Sequence, residues 1–241
     1  MPNTRRSLRF IPWIFLLAFS LAGATFLSGG TCAADEPPPA LPKVVLLGDS
    51  IRLGYAPTVA KQLAGRAVVV SHPANGGDSA RELASLQQWA IREQPVVVHF
   101  NCGIHDVKKF KTTGQFQVPP EKYEANLRAI VERLRRETKA TVLFALTTPL
   151  IDDRAAKQRS KADYELLDAS AEQYNQIALK VMKELHVPVN DLRSALGGPD
   201  DWSRLMRDDG VHFTPEGSEK LGRAVAKFVS QHLPASSATT N

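Results

Sequence analysis

Val44-Val45-Leu46-Leu47-Gly48-Asp49-Ser50 decides how the rest of the chain is read. Val44 to Gly48 is a continuous apolar run without polar alternation, the pattern of a strand covered on both faces. Strands of that kind belong to parallel sheets, whose crossovers are helices, so strand-like and helix-like stretches should alternate along the chain. They do. Ala56 to Leu63 reads as a short helix ended near Gly65, and Ala67 to Ser71 as a second strand. Ala80 to Arg92 reads as a helix with Leu83, Leu86 and Ile91 as its apolar positions. Val96 to Asn101 is a third strand, starting just after Pro95. Pro120 to Thr138 is the clearest amphipathic helix, with Tyr123, Leu127, Ile130 and Leu134 three or four residues apart. Thr141 to Thr147 then reads as a strand, Ala162 to Leu185 as a long helix, and Val187 to Asn190 as a short strand. A last helix runs from about Pro215 to His232, with Leu221, Val225 and Phe228 on one face and Pro215 in its first turn. The pattern predicts a three-layer α/β/α sandwich around a central parallel sheet of about five strands, with right-handed crossovers. It shows no repeat and no second domain.

Composition removes several alternatives. The 241 residues are 43% hydrophobic and 23% charged, which excludes a wholly disordered or fibrous chain. Lys and Arg number 30 against 25 Asp and Glu, a net charge of +5. Without Arg5, Arg6 and Arg9 the balance is 27 to 25, or +2. No concentrated basic surface is required, and no nucleic-acid partner is expected.

Residues 1–34 have the layout of an export signal. Arg5-Arg6-Ser7-Leu8-Arg9 precedes the apolar run Phe10 to Leu27, and small residues follow up to Thr31-Cys32-Ala33-Ala34. Cleavage after Ala33 or Ala34 fits best and places the protein in the periplasm or outside the cell. An uncleaved anchor is the alternative, because about 18 mostly apolar residues nearly span a bilayer; membrane attachment is expected only in that case. The paired arginines loosely resemble a twin-arginine signal. Cys32 suggests a lipoprotein, but Thr31 stands where a lipobox prefers Gly, Ala or Ser. Cleavage at either favoured site leaves Cys102 alone and excludes an internal disulfide. Residues 35–42 read as a linker, 43–233 as one domain, and 234–241 as a disordered tail. Nothing in the sequence sets an oligomeric state.

In open α/β sheets, ligands bind beyond the carboxyl ends of the strands. Gly48-Asp49-Ser50-Ile51 follows the first strand, Asn75-Gly76-Gly77-Asp78-Ser79 the second, and Asn101-Cys102-Gly103-Ile104-His105-Asp106 the third. Asp208-Asp209-Gly210-Val211-His212 precedes the last helix. Asp106 to Pro119, Pro149 to Lys161 and Leu192 to Gly210 read as loops around the site. A nucleophile, a base and an orienting acid would thus converge on one sheet edge, the parts that ester hydrolysis needs.

Over nearly all of the mature chain this arrangement resembles the SGNH, or GDSL-like, hydrolase family, whose fold is flavodoxin-like. Gly48-Asp49-Ser50 matches the block whose serine is the nucleophile. Gly77 matches the glycine whose N–H helps hold the oxyanion. Gly103-Ile104-His105-Asp106 aligns with a Gly-x-Asn-Asp block, and Asp209-Gly210-Val211-His212 with the final Asp-x-x-His block. Each block is short; their order and their places after strands make the set specific. The resemblance implies Ser50 as nucleophile, His212 as general base and Asp209 as the acid that fixes its tautomer, with Asp208 as the alternative acid. Ser50 N–H and Gly77 N–H are the backbone oxyanion donors.

The third donor departs from the family pattern, since His105 stands where the family has asparagine. An amide always presents its NH₂, whereas a neutral imidazole presents one N–H on a nitrogen set by its tautomer. Either His105 supplies the donor, making activity more sensitive to pH, or Asn101 supplies an amide and His105 is structural. Asp49 and Asp106 read as loop-organising carboxylates, and Cys102 as a small buried hydrophobe rather than a nucleophile.

Two other classes compete. Asp49, Asp78, His105, Asp106 and His212 are metal-ligand types, and Gly-Ile-His-Asp is similar to a segment of calcineurin-like phosphoesterases. Those enzymes begin with Asp-x-His, however, and carry later Gly-His pairs that are absent here. A non-catalytic carbohydrate-binding protein on the same fold is the second competitor. The resemblance implies hydrolysis of a small acyl ester without a metal or organic cofactor. The Gly-Asp-Ser-Ile-Arg start looks like exported bacterial members linked to carbohydrate esters, so the expected partner is a small-molecule or glycan ester. Lipase, lysophospholipase and thioesterase activities are the alternatives within the family. Arg52, Lys108, Lys109, Lys111, Trp202 and Arg204 are candidates to contact a polar or anionic substrate, each with a reading as a plain loop or fold residue beside it.

Overall fold

The computed structural model describes residues 40–234. The export signal at 1–34, most of the linker and all but Pro234 of the tail lie outside these residues. Five strands make one parallel sheet: β1 (Lys43–Leu47), β2 (Val68–Ser71), β3 (Val97–Phe100), β5 (Thr141–Ala145) and β7 (Val189–Asn190). Their order is β2-β1-β3-β5-β7, every pairing parallel. This is the flavodoxin-like order, and the chain changes direction across the sheet between β1 and β3. Val44, Val45 and Leu46 of β1 and Val97, Val98 and Phe100 of β3 are wholly buried, as strands covered on both faces must be.

The crossover helices supply that cover. Helix α1 (Ser50–Gln62) packs on α8 (Pro215–Ser230), while α2 (Ser79–Trp89), α3 (Pro120–Glu137) and α5 (Asp168–Glu184) pack in sequence against one another. The apolar stripe of α3 buries Tyr123, Leu127, Ile130 and Leu134 as its spacing predicts. Each such side chain contributes roughly 1.5–3 kcal/mol by leaving water. Phe100 and Phe144 meet edge to face at 5.0 Å between the central strands.

Several segments depart from the pattern-based reading. Helix α1 starts at Ser50 rather than near Ala56. Asp49 caps it by accepting the Ile51 N–H at 2.8 Å, and Gly54 and Pro57 break the apolar periodicity that would have marked its first turns. Helix α2 stops at Trp89, and Ile91–Glu93 forms a separate 3₁₀ turn because Ala90 leaves helical geometry. The long helix expected from Ala162 begins only at Asp168; Tyr164–Glu165 (β6) instead pairs antiparallel with Lys109–Phe110 (β4). The segments read as loops carry short helices: α4 (Asp152–Gln158), α6 (Leu192–Leu196) and α7 (Pro199–Leu205).

Candidate active site

Gly48 ends β1 with a positive φ of +145°, and a Cβ there would collide with Asn101 Oδ1. Only a residue without a side chain lets the backbone turn at this point, and the turn delivers Asp49 and Ser50 to the start of α1. Ser50 is the first helical residue, so its N–H has no carbonyl within the helix to bond. Among the described residues, no side chain accepts from it. Ser50 Oγ lies 2.8 Å from His212 Nε2, although 162 residues separate the two in sequence.

The Asp209–His212 segment folds back on itself through its own acid. Asp209 Oδ1 accepts the N–H groups of Val211 at 2.9 Å and His212 at 2.8 Å, and its Oδ2 lies 2.7 Å from His212 Nδ1. Partial burial opposes ionisation of Asp209, but the hydrogen bonds from His212 and Val211 prevail and hold its carboxyl below the usual range. An ionised Asp209 makes Nδ1 the protonated ring nitrogen and leaves Nε2 free to accept the Ser50 hydroxyl proton. Asp208, the alternative acid, makes no such contact.

A small open cleft lies beside Ser50 and His212, lined also by Ile51, Gly54, Arg207 and Phe213. Gly54 contributes no side chain to it.

The second and third blocks are tied together. Asp106 accepts the Ser79 N–H at 3.0 Å and the Ser79 hydroxyl at 2.5 Å, and Asn126 Nδ2 donates to that hydroxyl at 2.9 Å. Burial pushes the Asp106 carboxyl up to about 7, with the Ser79 hydrogen bonds opposing the rise. The expected loop-organising part of Asp106 has this physical form: it fastens the start of α2 to the end of β3.

Gly77 departs from a freely presented donor. Its N–H donates to Asn75 Oδ1 at 2.8 Å, an Asx turn formed by the residue two places upstream. The φ of +71° at Gly77 suits that turn.

His105 is partly buried, and Lys108 Nζ lies 3.1 Å from its Nδ1. Burial first, then the charges of Lys108, His212 and Arg81, lower its pKa to about 4, with Asp78 acting the other way. The ring is neutral near pH 7, and any pH sensitivity of a His105 donor would lie on the acid side. Asn101 is 5% exposed, and its Oδ1 accepts the Tyr55 hydroxyl at 3.4 Å beneath Gly48. Cys102 is fully buried, and burial drives its thiol well above the ordinary range; a thiol held neutral is a poor nucleophile.

Arg52 is placed differently from a substrate contact. It is 1% exposed and donates to the carbonyls of Gly48, His72 and Ala74 and to Ser71 Oγ at 2.6–3.2 Å. Two buried carboxyls share its surroundings. Burial raises Asp49 and raises Glu82 well above the usual range, and both Glu82 oxygens lack a hydrogen-bond partner. Lys111 Nζ donates to Ala162 O, Arg204 pairs with Glu216, and Trp202 Nε1 donates to Gly197 O. With Lys108, which meets His105 and the Tyr164 ring, fold contacts therefore engage five of the six proposed substrate-contact residues. Among the described residues, no three His, Cys, Asp or Glu side chains converge to hold a metal ion.

A serine whose hydroxyl meets a histidine that is in turn held by a carboxylate, at the switch point of a doubly wound sheet, defines a serine esterase of the SGNH type. The chain belongs to the GDSL-like Lipase/Acylhydrolase family, whose sequence profile matches residues 46–220. It is 26% identical over 209 residues to the GDSL esterase/lipase WDL1 of Oryza sativa subsp. japonica, covering 81% of this chain and 80% of that one. It is 24% identical over 194 residues to the human isoamyl acetate-hydrolyzing esterase 1 homolog, covering 75% and 78%. Among solved structures, the lipase/acylhydrolase from Enterococcus faecalis superposes with a TM-score of 0.67 at 21% identity, over 82% of this chain and 100% of that chain. The acetyl xylan esterase AlAXEase superposes with a TM-score of 0.63 at 19% identity, over 78% and 99%. The protein is thus an acyl-ester hydrolase of that family.

Proposed function

We propose that Ser50, His212 and Asp209 perform this hydrolysis through an acyl-enzyme, and that the substrate is a short acyl ester, an acetyl group on a carbohydrate fitting best. The unbroken run from Ser50 Oγ through His212 to Asp209, at 2.8 and 2.7 Å, carries the reading. Nε2 of His212 takes the hydroxyl proton as Ser50 Oγ bonds to the substrate carbonyl carbon. The carbonyl oxygen becomes an oxyanion, stabilised by the Ser50 N–H, by His105 and by Gly77, whose N–H the oxyanion shares with Asn75. The tetrahedral intermediate collapses, and the leaving alcohol receives the proton from His212. Water then attacks the acyl group, gives its proton to His212, and releases the acid and free Ser50.

Support for a short acyl chain comes from the small cleft beside Ser50 and from relatives named as acetate-ester and acetyl xylan esterases. Domain limits at residues 43–233 and export from the cytoplasm on residues 1–34 belong to the same reading. No helix of the described residues is long and apolar enough to cross a membrane.

The test is turnover of p-nitrophenyl acetate, butyrate and octanoate in EDTA, with Ser50→Ala beside the parent. The expected result is activity that is greatest on acetate and at least 10³-fold lower in the variant. Preference for octanoate would make the protein a lipase instead. Equal rates in parent and variant would remove Ser50 from the mechanism.

A further inference from the structure

We propose that Lys108 is a positioning residue whose ammonium holds the His105 ring in the tautomer protonated at Nε2, the nitrogen that then donates to the oxyanion. The inference rests on the function proposed above and adds the device that lets a histidine stand in for an amide.

The chemistry poses a definite problem. Asparagine presents an NH₂ in every state, whereas a neutral imidazole carries one proton on either of two nitrogens. A ring that wanders between tautomers is a donor at a given nitrogen only part of the time. Which nitrogen is protonated is set by the hydrogen bond that the other one makes. Lys108 makes that bond. An ammonium has three donors and no acceptor, so Nδ1, 3.1 Å from Nζ, is the accepting nitrogen and the proton resides on Nε2.

Lys108 is itself held in place. Its N–H donates to His105 O at 3.4 Å, and its carbonyl accepts the Gln117 N–H at 2.7 Å. Its Nζ stands 5.2 Å from the Tyr164 ring centroid, over the face of the ring, a favourable cation–π placement. Tyr164 lies on β6, paired with β4 directly after Lys108. The two-stranded ribbon that interrupts the expected long helix thus places an aromatic ring beside this lysine. The charged and titratable groups that face His105 are Lys108, Arg81 and His212, which disfavour its protonation, and Asp78, which favours it. With burial they keep the ring neutral, the state in which tautomer choice matters.

Long-range ¹H–¹⁵N NMR of the full domain reads the tautomer directly. In the parent, His105 should be protonated at Nε2 only. Lys108→Met should give a mixed-tautomer signal and lower kcat roughly tenfold, a fraction of what losing a whole oxyanion donor costs, with KM within about twofold. Lys108→Arg should restore both readouts. In a His105→Asn background, where the amide needs no tautomer control, adding Lys108→Met should cost nothing further. An Nδ1-protonated ring in the parent would overturn the proposal without any variant. So would an unchanged tautomer in Lys108→Met, or an equal loss of kcat in both backgrounds. Any of these results leaves the Ser50→Ala comparison intact, so the two claims fail separately.

Discussion

At the scale of single residues, the same burial that places a polar group also sets its charge. His99 shows this away from the active site. It lies on the fully buried central strand, its Nε2 lies 3.3 Å from Asn190 Nδ2, and its Nδ1 has no partner. Burial lowers its pKa from 6.5 to about 3. Between those values the unfolded chain binds a proton that the folded chain refuses, so stability falls as pH drops through this window and is complete above it. The cost at the acid end is up to about 5 kcal/mol, near 1.4 kcal/mol per pH unit. His99→Gln keeps an acceptor for Asn190 and removes the titration. Urea unfolding from pH 7 to 4 should show the variant losing less stability than the parent; parallel curves would mean that His99 does not set the acid limb. The three residues proposed as the triad were legible in sequence because they sit in two short blocks, Ser50 just after a strand and Asp209 and His212 just before the last helix. The relation of Lys108 to His105 was not. Nothing in Gly103-Ile104-His105-Asp106-Val107-Lys108 shows that a side chain three residues on turns back to the ring, and Lys108 read instead as a substrate contact.

At the scale of elements, α1 does more than follow β1. Its Arg52 reaches across to the segment after β2 and binds Ser71, His72 and Ala74, which lead into the Asx turn at Gly77. One buried guanidinium therefore fastens the helix that starts at Ser50 to the segment that leads to Gly77. Arg52→Met would leave the carbonyls of Gly48, His72 and Ala74 short of a donor and the buried Asp49 and Glu82 without their cation. The expected cost is about 3–5 kcal/mol, seen as a lower urea midpoint, with kcat falling alongside it. A variant as stable as the parent would mean that the clamp is dispensable. The burial of Arg52 was hidden in the sequence, where an arginine beside a nucleophile reads as a substrate contact. Helix α1 was itself under-read, because the cap at Asp49 marks its start better than the apolar periodicity broken by Gly54 and Pro57. The ribbon of β4 and β6 has two residues in each strand, too few for any alternation to register.

At the scale of the whole molecule, a parallel sheet explains both what could be read and where the site lies. Strands buried on both faces read as continuous apolar runs, which places each strand to within two residues at either end. Their order around the switch point brings the end of β1 beside the end of β3, and α8 packs on α1 while its preceding loop carries His212. The catalytic reading thus follows from topology: residues 162 apart meet because their elements are neighbours.

The central claim is that Ser50 is an activated nucleophile. A fluorophosphonate, which bonds covalently only to a serine made reactive by its base, tests it by intact and peptide mass spectrometry. One adduct on Ser50 in the parent, strongly slowed in His212→Ala and absent in Ser50→Ala, is the predicted result. An unlabelled parent, or an adduct on another residue that persists in Ser50→Ala, would contradict the account.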